Sequence, residues 1–245
     1  MPVILVANLN KRFEIRKSKT ELLLHPFKRS FKSVLNDINL TIDACGIYSL
    51  VGPNGSGKTT LLRILSGILL PDSGEVRIYD DTVSVNPNLI FLISEADKGF
   101  YPRLSLKNNL IFFASLILSN RKDIINRVEG IIDEFGLREE VNTRFQELSS
   151  GTRQRLSIAR AMLFDPKILL FDEITKGIDL SQQQIIYRLI KSLKEKGKTI
   201  IFSTHIRDEI ERLSDRVILL EKGRLVTFGA YPDIRDDIRQ IFNLQ

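Results

Sequence analysis

One cysteine, Cys45, is too few for an internal disulfide or for a cysteine-based metal site. Long apolar runs are missing as well. The longest candidate, "LIFFASLIL" from Leu110 to Leu118, has about half of the roughly 18–20 residues that a membrane-spanning helix needs. The opening "MPVILVANLNKRF" lacks the charged-then-apolar layout of a secretion signal, and its short apolar run suits a first strand. There is no internal repeat, no low-complexity tract, no sustained heptad series and no Asn-Lys-x-Asp guanine-reading motif. These absences argue against a disulfide scaffold, a membrane-spanning protein, a coiled-coil machine and a GTPase. A cytosolic chain is expected, and 43% hydrophobic content over 245 residues supports a sizeable core.

Acidic residues fall short of basic ones, 30 against 36, for a net charge of +6 and an isoelectric point near 9.4. Much of the excess lies between Lys11 and Lys32, in "KRFEIRKSKTELLLHPFKRSFK". A solvated basic loop fits this run, and so does a surface for nucleic acid or for the anionic face of a membrane. No stacking-aromatic pattern accompanies it, so no specific nucleic-acid partner is expected. His25 lies inside the run and receives no role.

Against that background one stretch stands out, "LVGPNGSGKTTLL" from Leu50 to Leu62. Gly52, Gly57, Lys58 and Thr59 satisfy G-x-x-x-x-G-K-S/T, the phosphate-binding loop of nucleotide hydrolases. "GIYSLVG" before it reads as a buried strand, and "TTLLRILSGI" after it repeats apolar residues at helical spacing. Glycines let successive N–H groups turn inward on phosphate oxygens, and the following helix adds its positive dipole end. Lys58 would reach the outer phosphates, and the Thr59 hydroxyl would ligate Mg2+.

The remaining pattern is mixed. "VILVANLN", "INLTI", "IYSLV", "GEVRIYD" and "NLIFLIS" read as strands. From about Ala96 to Phe164 the periodicity is helical, in "SLKNNLIFFASLIL", "KDIINRVEGIIDEFGL" and "SGTRQRLSIARAML". Then strands "KILLF" and "TIIFSTH" alternate with helices "SQQQIIYRLIKSLKEKG" and "RDEIERL". "RVILLE" and "RLVTFG" close the series around a Lys222–Gly223 turn. Alternation of this kind predicts an α/β fold with a mostly parallel sheet and an inserted helical block.

Three further segments carry chemistry. "ILLFDE" ends a strand in Asp172, suited to hold Mg2+, and Glu173, suited to deprotonate an attacking water. "LSSG" opens a basic helix, a second anion-binding helix start that one triphosphate in one chain does not require. His205 follows "TIIFST" at the carboxyl edge of a strand, where α/β sheets bind ligands.

Taken in order, "GPNGSGKTT", "LSSGTRQR", "ILLFDE", "KGID" and "STH" resemble the nucleotide-binding subunit of an ATP-binding cassette (ABC) transporter. The resemblance runs along nearly the whole chain. It implies one ABC ATPase domain over 1–245, with a catalytic core at about 1–95 and 165–245 and a helical subdomain at 96–164. A small antiparallel β subdomain and a basic insertion at 14–33 complete the expected layout. Two cassettes, read most simply as a homodimer, would sandwich ATP between Gly52, Pro53, Asn54, Gly55, Ser56, Gly57, Lys58, Thr59 and Thr60 of one copy and Ser149, Ser150 and Gly151 of the other.

Further roles come from the same resemblance. Lys176 to Asp179 would run between the two sites, Phe13 would stack on adenine, and Phe31 is an outside candidate for that stacking. Glu173, His205 and Lys58 would carry catalysis, with Mg2+ at Thr59, Asp172 and Glu95. Glu95 replaces the family's usual glutamine, Thr152 another glutamine, and Ile174 a proline. The segment "GFYPRLSLKNNLIFFASL" and the basic insertion are similar to exporter cassettes with a separate membrane permease, of the drug, lipid, polysaccharide or peptide class. The expected place is the cytoplasm, peripheral at the inner face of the cell membrane. The alternative is a soluble ABC ATPase without a transporter, such as an iron–sulfur assembly scaffold.

Overall fold

The computed structural model describes residues 2–15, 30–79, 89–94 and 99–235. Strands β1 (Pro2–Glu14), β2 (Phe31–Asp43) and β4 (Ser73–Ile78) form an antiparallel sheet in the order β2-β1-β4. Six further strands are β3 (Ile47–Val51), β5 (Ile90–Ile93), β6 (Ile168–Asp172), β7 (Thr199–Thr204), β8 (Arg216–Glu221) and β9 (Arg224–Ala230). Their order is β5-β6-β7-β3-β8-β9, parallel except for β9. The helices are α1 (Lys58–Leu65), α2 (Leu106–Ala114), α3 (Arg121–Glu134), α4 (Ser150–Leu163), α5 (Leu180–Glu195) and α6 (Arg207–Leu213). This is the expected α/β fold, and α2, α3 and α4 all fall between β5 and β6.

The central strands are apolar at almost every position because both faces of the parallel sheet are covered. Side chains alternate across it. Leu169, Phe171, Ile200 and Phe202 face Leu156 and Ile158 of α4 and Ile186 and Ile190 of α5. Ile168, Leu170, Ile201 and Leu50 face the other way, onto Leu61, Leu62 and Leu65 of α1 and Leu9 and Leu35 of the small sheet. Each such burial contributes about 1.5–3 kcal/mol, so the sheet is a rigid platform for whatever its carboxyl edge carries.

Two boundaries depart from the sequence reading. β1 continues to Glu14 and β2 begins at Phe31, so the pair extends well past the apolar segments into the basic run. There the ladder is kept by pairing, with Phe13 opposite Lys32 and Glu14 opposite Phe31. Since these residues are exposed, no hydrophobic alternation marked them. Residues 16–29, the greater part of the basic insertion and including His25, lie outside the described residues.

Candidate active site

The phosphate loop leaves the carboxyl end of β3 and enters α1 at Gly57, with φ 107° and no side-chain cap. By contrast α2, α3, α4 and α5 start under the side chains of Ser105, Asn120, Ser149 and Asp179. A helix start closed by glycine keeps its N–H groups open to a ligand. A Cβ on Gly57 would stand 2.7 Å from Leu35 Cδ2 and 2.9 Å from the Val34 carbonyl oxygen, and one on Gly52 only 2.1 Å from the Leu220 carbonyl oxygen. The loop is therefore packed against β2 and β8 through positions that tolerate no side chain. Gly223 N–H donates to the Ser56 carbonyl at 3.1 Å, so the β8–β9 turn holds the loop from beneath.

Lys58 is buried, 6% exposed. Its Nζ donates to the carbonyls of Gly52 at 2.7 Å and Pro53 at 3.2 Å. Burial pulls its pKa below the ordinary lysine value, while the charges of Glu173 and Asp172 act in the opposite direction. A cation held by two loop carbonyls beside the open N–H groups of a helix start is arranged for anions before any arrive.

Two cavities meet at this point. One, of about 620 Å³, brings together Phe13, Asn54, Gly55, Lys58, Thr60 and Glu173, with Lys32 and Lys222 adding positive charge. The other, of about 510 Å³, is lined by Thr59, Ser150, Asp172, Glu173 and Lys176 among others. Pro53 and Gly52 turn their carbonyls to Lys58, and the Ser56 hydroxyl is buried without a protein partner. Phe31 pairs one register position away from Phe13 and so occupies the opposite face of the hairpin. Ser149, Gly151 and Asp179 line neither cavity. Glu95 lies outside the described residues.

The acidic end of β6 is braced by a neighbour that sequence reasoning overlooked. Parallel pairing sets Ser203 of β7 beside Asp172. Its hydroxyl donates to Asp172 Oδ1 at 2.6 Å and accepts from Glu173 N–H at 3.0 Å. Glu173 then adopts φ 54°, a left-handed conformation that non-glycine residues reach only with outside support. Its carboxylate meets Lys176 Nζ at 2.7 Å and lies 3.7 Å from His205 Nδ1. The Lys176 bond is the main reason its pKa is held below the usual carboxylate range, with burial opposing and the Lys176, His205 and Lys58 charges assisting.

The second helix start is built differently. Ser149 Oγ accepts from Thr152 N–H at 3.1 Å, so this hydroxyl serves its own helix, while Ser149 and Ser150 remain exposed. Thr152 turns inward, with Arg155 donating to its hydroxyl at 3.2 Å. Gly151 has an intrachain reason to be glycine, since a Cβ there would lie 2.6 Å from Gln182 Cγ. Asp179 caps α5 by accepting from Gln182 N–H at 3.0 Å and from the Ser181 hydroxyl at 2.5 Å. Those two bonds hold its carboxyl low.

A phosphate loop, an acid-tipped neighbouring strand and an exposed serine-glycine helix start on one α/β sheet define an ABC-type ATPase domain. Residues 35–176 match the family described as ABC transporter, and the chain belongs to that family. It is 36% identical over 216 residues to the ABC transporter ATP-binding protein NatA of Bacillus subtilis, which covers 86% of this chain and 88% of that protein. It is 32% identical over 211 residues to the Nod factor export ATP-binding protein I of Rhizobium etli, covering 84% of this chain and 66% of that one. The fold matches cbiO1 from Clostridium perfringens, part of an ABC transporter complex, with a TM-score of 0.79 at 24% identity, over 100% of this chain and 95% of the other. The protein is thus an ATP-binding subunit of an ABC transporter, and the family's activity is ATP hydrolysis coupled to transport.

Proposed function

We propose that the chain drives export through a separate membrane permease, by closing on a second copy of itself around ATP. The observation that carries this reading is the pair of exposed serines, Ser149 and Ser150, at the start of α4. Ser150 borders the cavity that also holds Asp172 and Glu173. In the proposal the Ser149–Gly151 start binds the phosphates held by the partner copy, so closure depends on ATP. Export, as against import, draws its support from relatives such as the Rhizobium etli protein, whose name specifies Nod factor export.

Within one copy, Phe13 stacks on adenine, the open start of α1 and Lys58 bind the phosphates, Glu173 takes the water's proton and His205 contacts the γ-phosphate. The residues present fit Mg2+ as an ion shared with the nucleotide. Thr59 and Asp172 line one cavity, and among the described residues no cluster of three His, Cys, Asp or Glu could hold a metal alone. Thr59 and Asp172 would hold it, together with Glu95 from outside the described residues. When bound, the ion neutralises phosphate charge.

Permease docking is assigned to the apolar rim around α2. Tyr101, Leu116 and Ile117 are exposed there, and Tyr101 meets Phe112 edge-on at 4.7 Å between centroids. No helix among the described residues is long and apolar enough to cross a membrane. The proposed place is the cytoplasmic face of the cell membrane. The test is purification of tagged Glu173→Gln chain from native membranes in ATP and Mg2+. A polytopic membrane protein should co-purify, and Leu116→Asp with Ile117→Asp should release it. Recovery of soluble partners alone would overturn the reading.

The bond from Lys176 gives this site a pH signature. A carboxyl whose pKa is lowered stays ionised, and competent as a base, to lower pH. Lys176→Met removes the largest cause of that lowering, so Glu173 should protonate at higher pH than in the wild type. The acid limb of kcat/KM for ATP, which reports the free enzyme, is expected to move upward in pH. Steady-state hydrolysis across the acid limb measures it, and a limb that stays in place would remove Lys176 from the account.

A further inference from the structure

Glu209 is an ionisable side chain for which the reaction above has no use. It sits on α6 and is 1% exposed. A buried carboxyl is costly unless its oxygens are satisfied, and here each oxygen has its own partner. Oε1 accepts from the Thr175 hydroxyl and Oε2 from the Thr204 hydroxyl. Thr175 is two residues beyond Glu173, and Thr204 immediately precedes His205. The Thr204 hydroxyl in turn accepts from Ile206 N–H at 2.9 Å, so the chain is pinned on both sides of the histidine. Tyr187 of α5 adjoins the same carboxyl, its pKa pushed up to about 12 by burial first and by the Glu209 charge second.

We infer that Glu209 is a positioning residue, whose carboxyl ties the loop bearing Glu173 to the loop bearing His205. The inference rests on the roles proposed above for those two residues. Three observations converge on it. Glu173 has the strained φ of 54°, which needs support from the residues around it. Ser203 supplies that support at the Glu173 N–H, and Thr175, through Glu209, supplies it on the following side. His205 lies 3.7 Å from Glu173 Oε1, beyond hydrogen-bond distance, so that contact does not itself set their separation. An apolar side chain would fill the same space in α6 and would leave the two hydroxyls unlinked.

The clamp predicts a kinetic pattern that core filling does not. In the full-length chain, Glu209→Leu should lower kcat by about 30- to 100-fold, the scale of a displacement near 1 Å at a reacting centre. KM for ATP and the dissociation constant for a fluorescent ATP analogue should stay within about twofold, because the phosphate loop is untouched. Glu209→Gln should restore most of kcat, since an amide can accept from one threonine and donate to the other. Thr175→Val and Thr204→Val, near-isosteric and one hydroxyl each, should lower kcat alone and add little to Glu209→Leu.

Wild-type kcat in Glu209→Leu would overturn the inference. So would a loss confined to KM, or equal damage from the glutamine variant. If Glu209→Leu fails to fold, the two valine variants decide by the same split. Glu173→Gln assayed beside them separates the failures: full turnover in that variant refutes the base assignment, while the Glu209 variants still report whether the clamp governs kcat.

Discussion

Glu173→Gln should lose at least about 100-fold in kcat, the lower end of what a positioned general base contributes. ATP affinity should stay within about threefold of wild type, because the amide changes neither the phosphate loop nor the charge of Lys58. The geometry explains why the effect is expected in turnover. Glu173 lines both cavities, and its backbone is fixed through Ser203. Glutamine preserves shape and one acceptor oxygen but does not accept a proton at neutral pH. In ATP and Mg2+ the variant should therefore accumulate as a closed dimer. Light scattering would report a doubling of mass that depends on ATP and is lost with ADP. Retained turnover would transfer the base to another group and leave the strained φ of 54° without a catalytic reason.

The parts of this site that were legible in the sequence are local. Gly52 to Thr60 announces itself by spacing within one strand–loop–helix unit, and Asp172 and Glu173 by their position at the end of an apolar strand. What was missed is set by register between distant segments. Ser203 reaches Asp172 because β6 and β7 pair in parallel with those residues side by side, a relation that no spacing along the chain encodes. Lys222 was legible as a turn residue, and the β8–β9 turn does hold it, but its place beside the cavity lined by Phe13 and Lys58 was not, because β8 returns beneath the phosphate loop. Glu209 was hidden for a different reason. Its surroundings, "RDEIERL", read as a helix and nothing more, and three acids in seven residues do not say which one α6 turns inward. Burial then pushes the Glu209 pKa up to about 7, against the lowering hydrogen bond from Thr204.

The fold shows the same division. Strands β3, β6 and β7 were recognisable because burial on both faces demands continuous apolar residues. The outer half of the β1–β2 hairpin was not, since its exposed residues are joined by ladder bonds, and Lys11 Nζ ties β1 to Asp72, just before β4, at 2.9 Å. Helix ends were overestimated wherever apolar residues outlast the helix. α2 stops at Ala114, and Leu116 and Ile117 beyond it stay exposed. In the proposal above that exposure is what the permease covers.

Lys58→Met should weaken ATP binding by at least about 30-fold, since removing a desolvated cation from a charge pair costs about 2–5 kcal/mol and each 1.4 kcal/mol is a factor of ten. Methionine keeps the unbranched apolar stem and lacks only the terminal ammonium position, so the packing of α1 against the sheet survives. The Gly52 and Pro53 carbonyls lose the ammonium that now binds them, but Lys58 itself lines the open cavity, from which water can take the ammonium's place. Thermal stability without nucleotide should therefore change little, while the stabilisation that ATP confers on wild type should largely disappear. Titration with a fluorescent ATP analogue, beside melting curves with and without ATP, separates the two effects. The contrast with Glu173→Gln is the stricter test. One variant should bind without turning over, and the other should fold without binding. If Lys58→Met instead kept its affinity and lost only kcat, the lysine would act on charge that develops in the transition state. Its ground-state bonds to the loop carbonyls would then be a resting position that it leaves during the reaction.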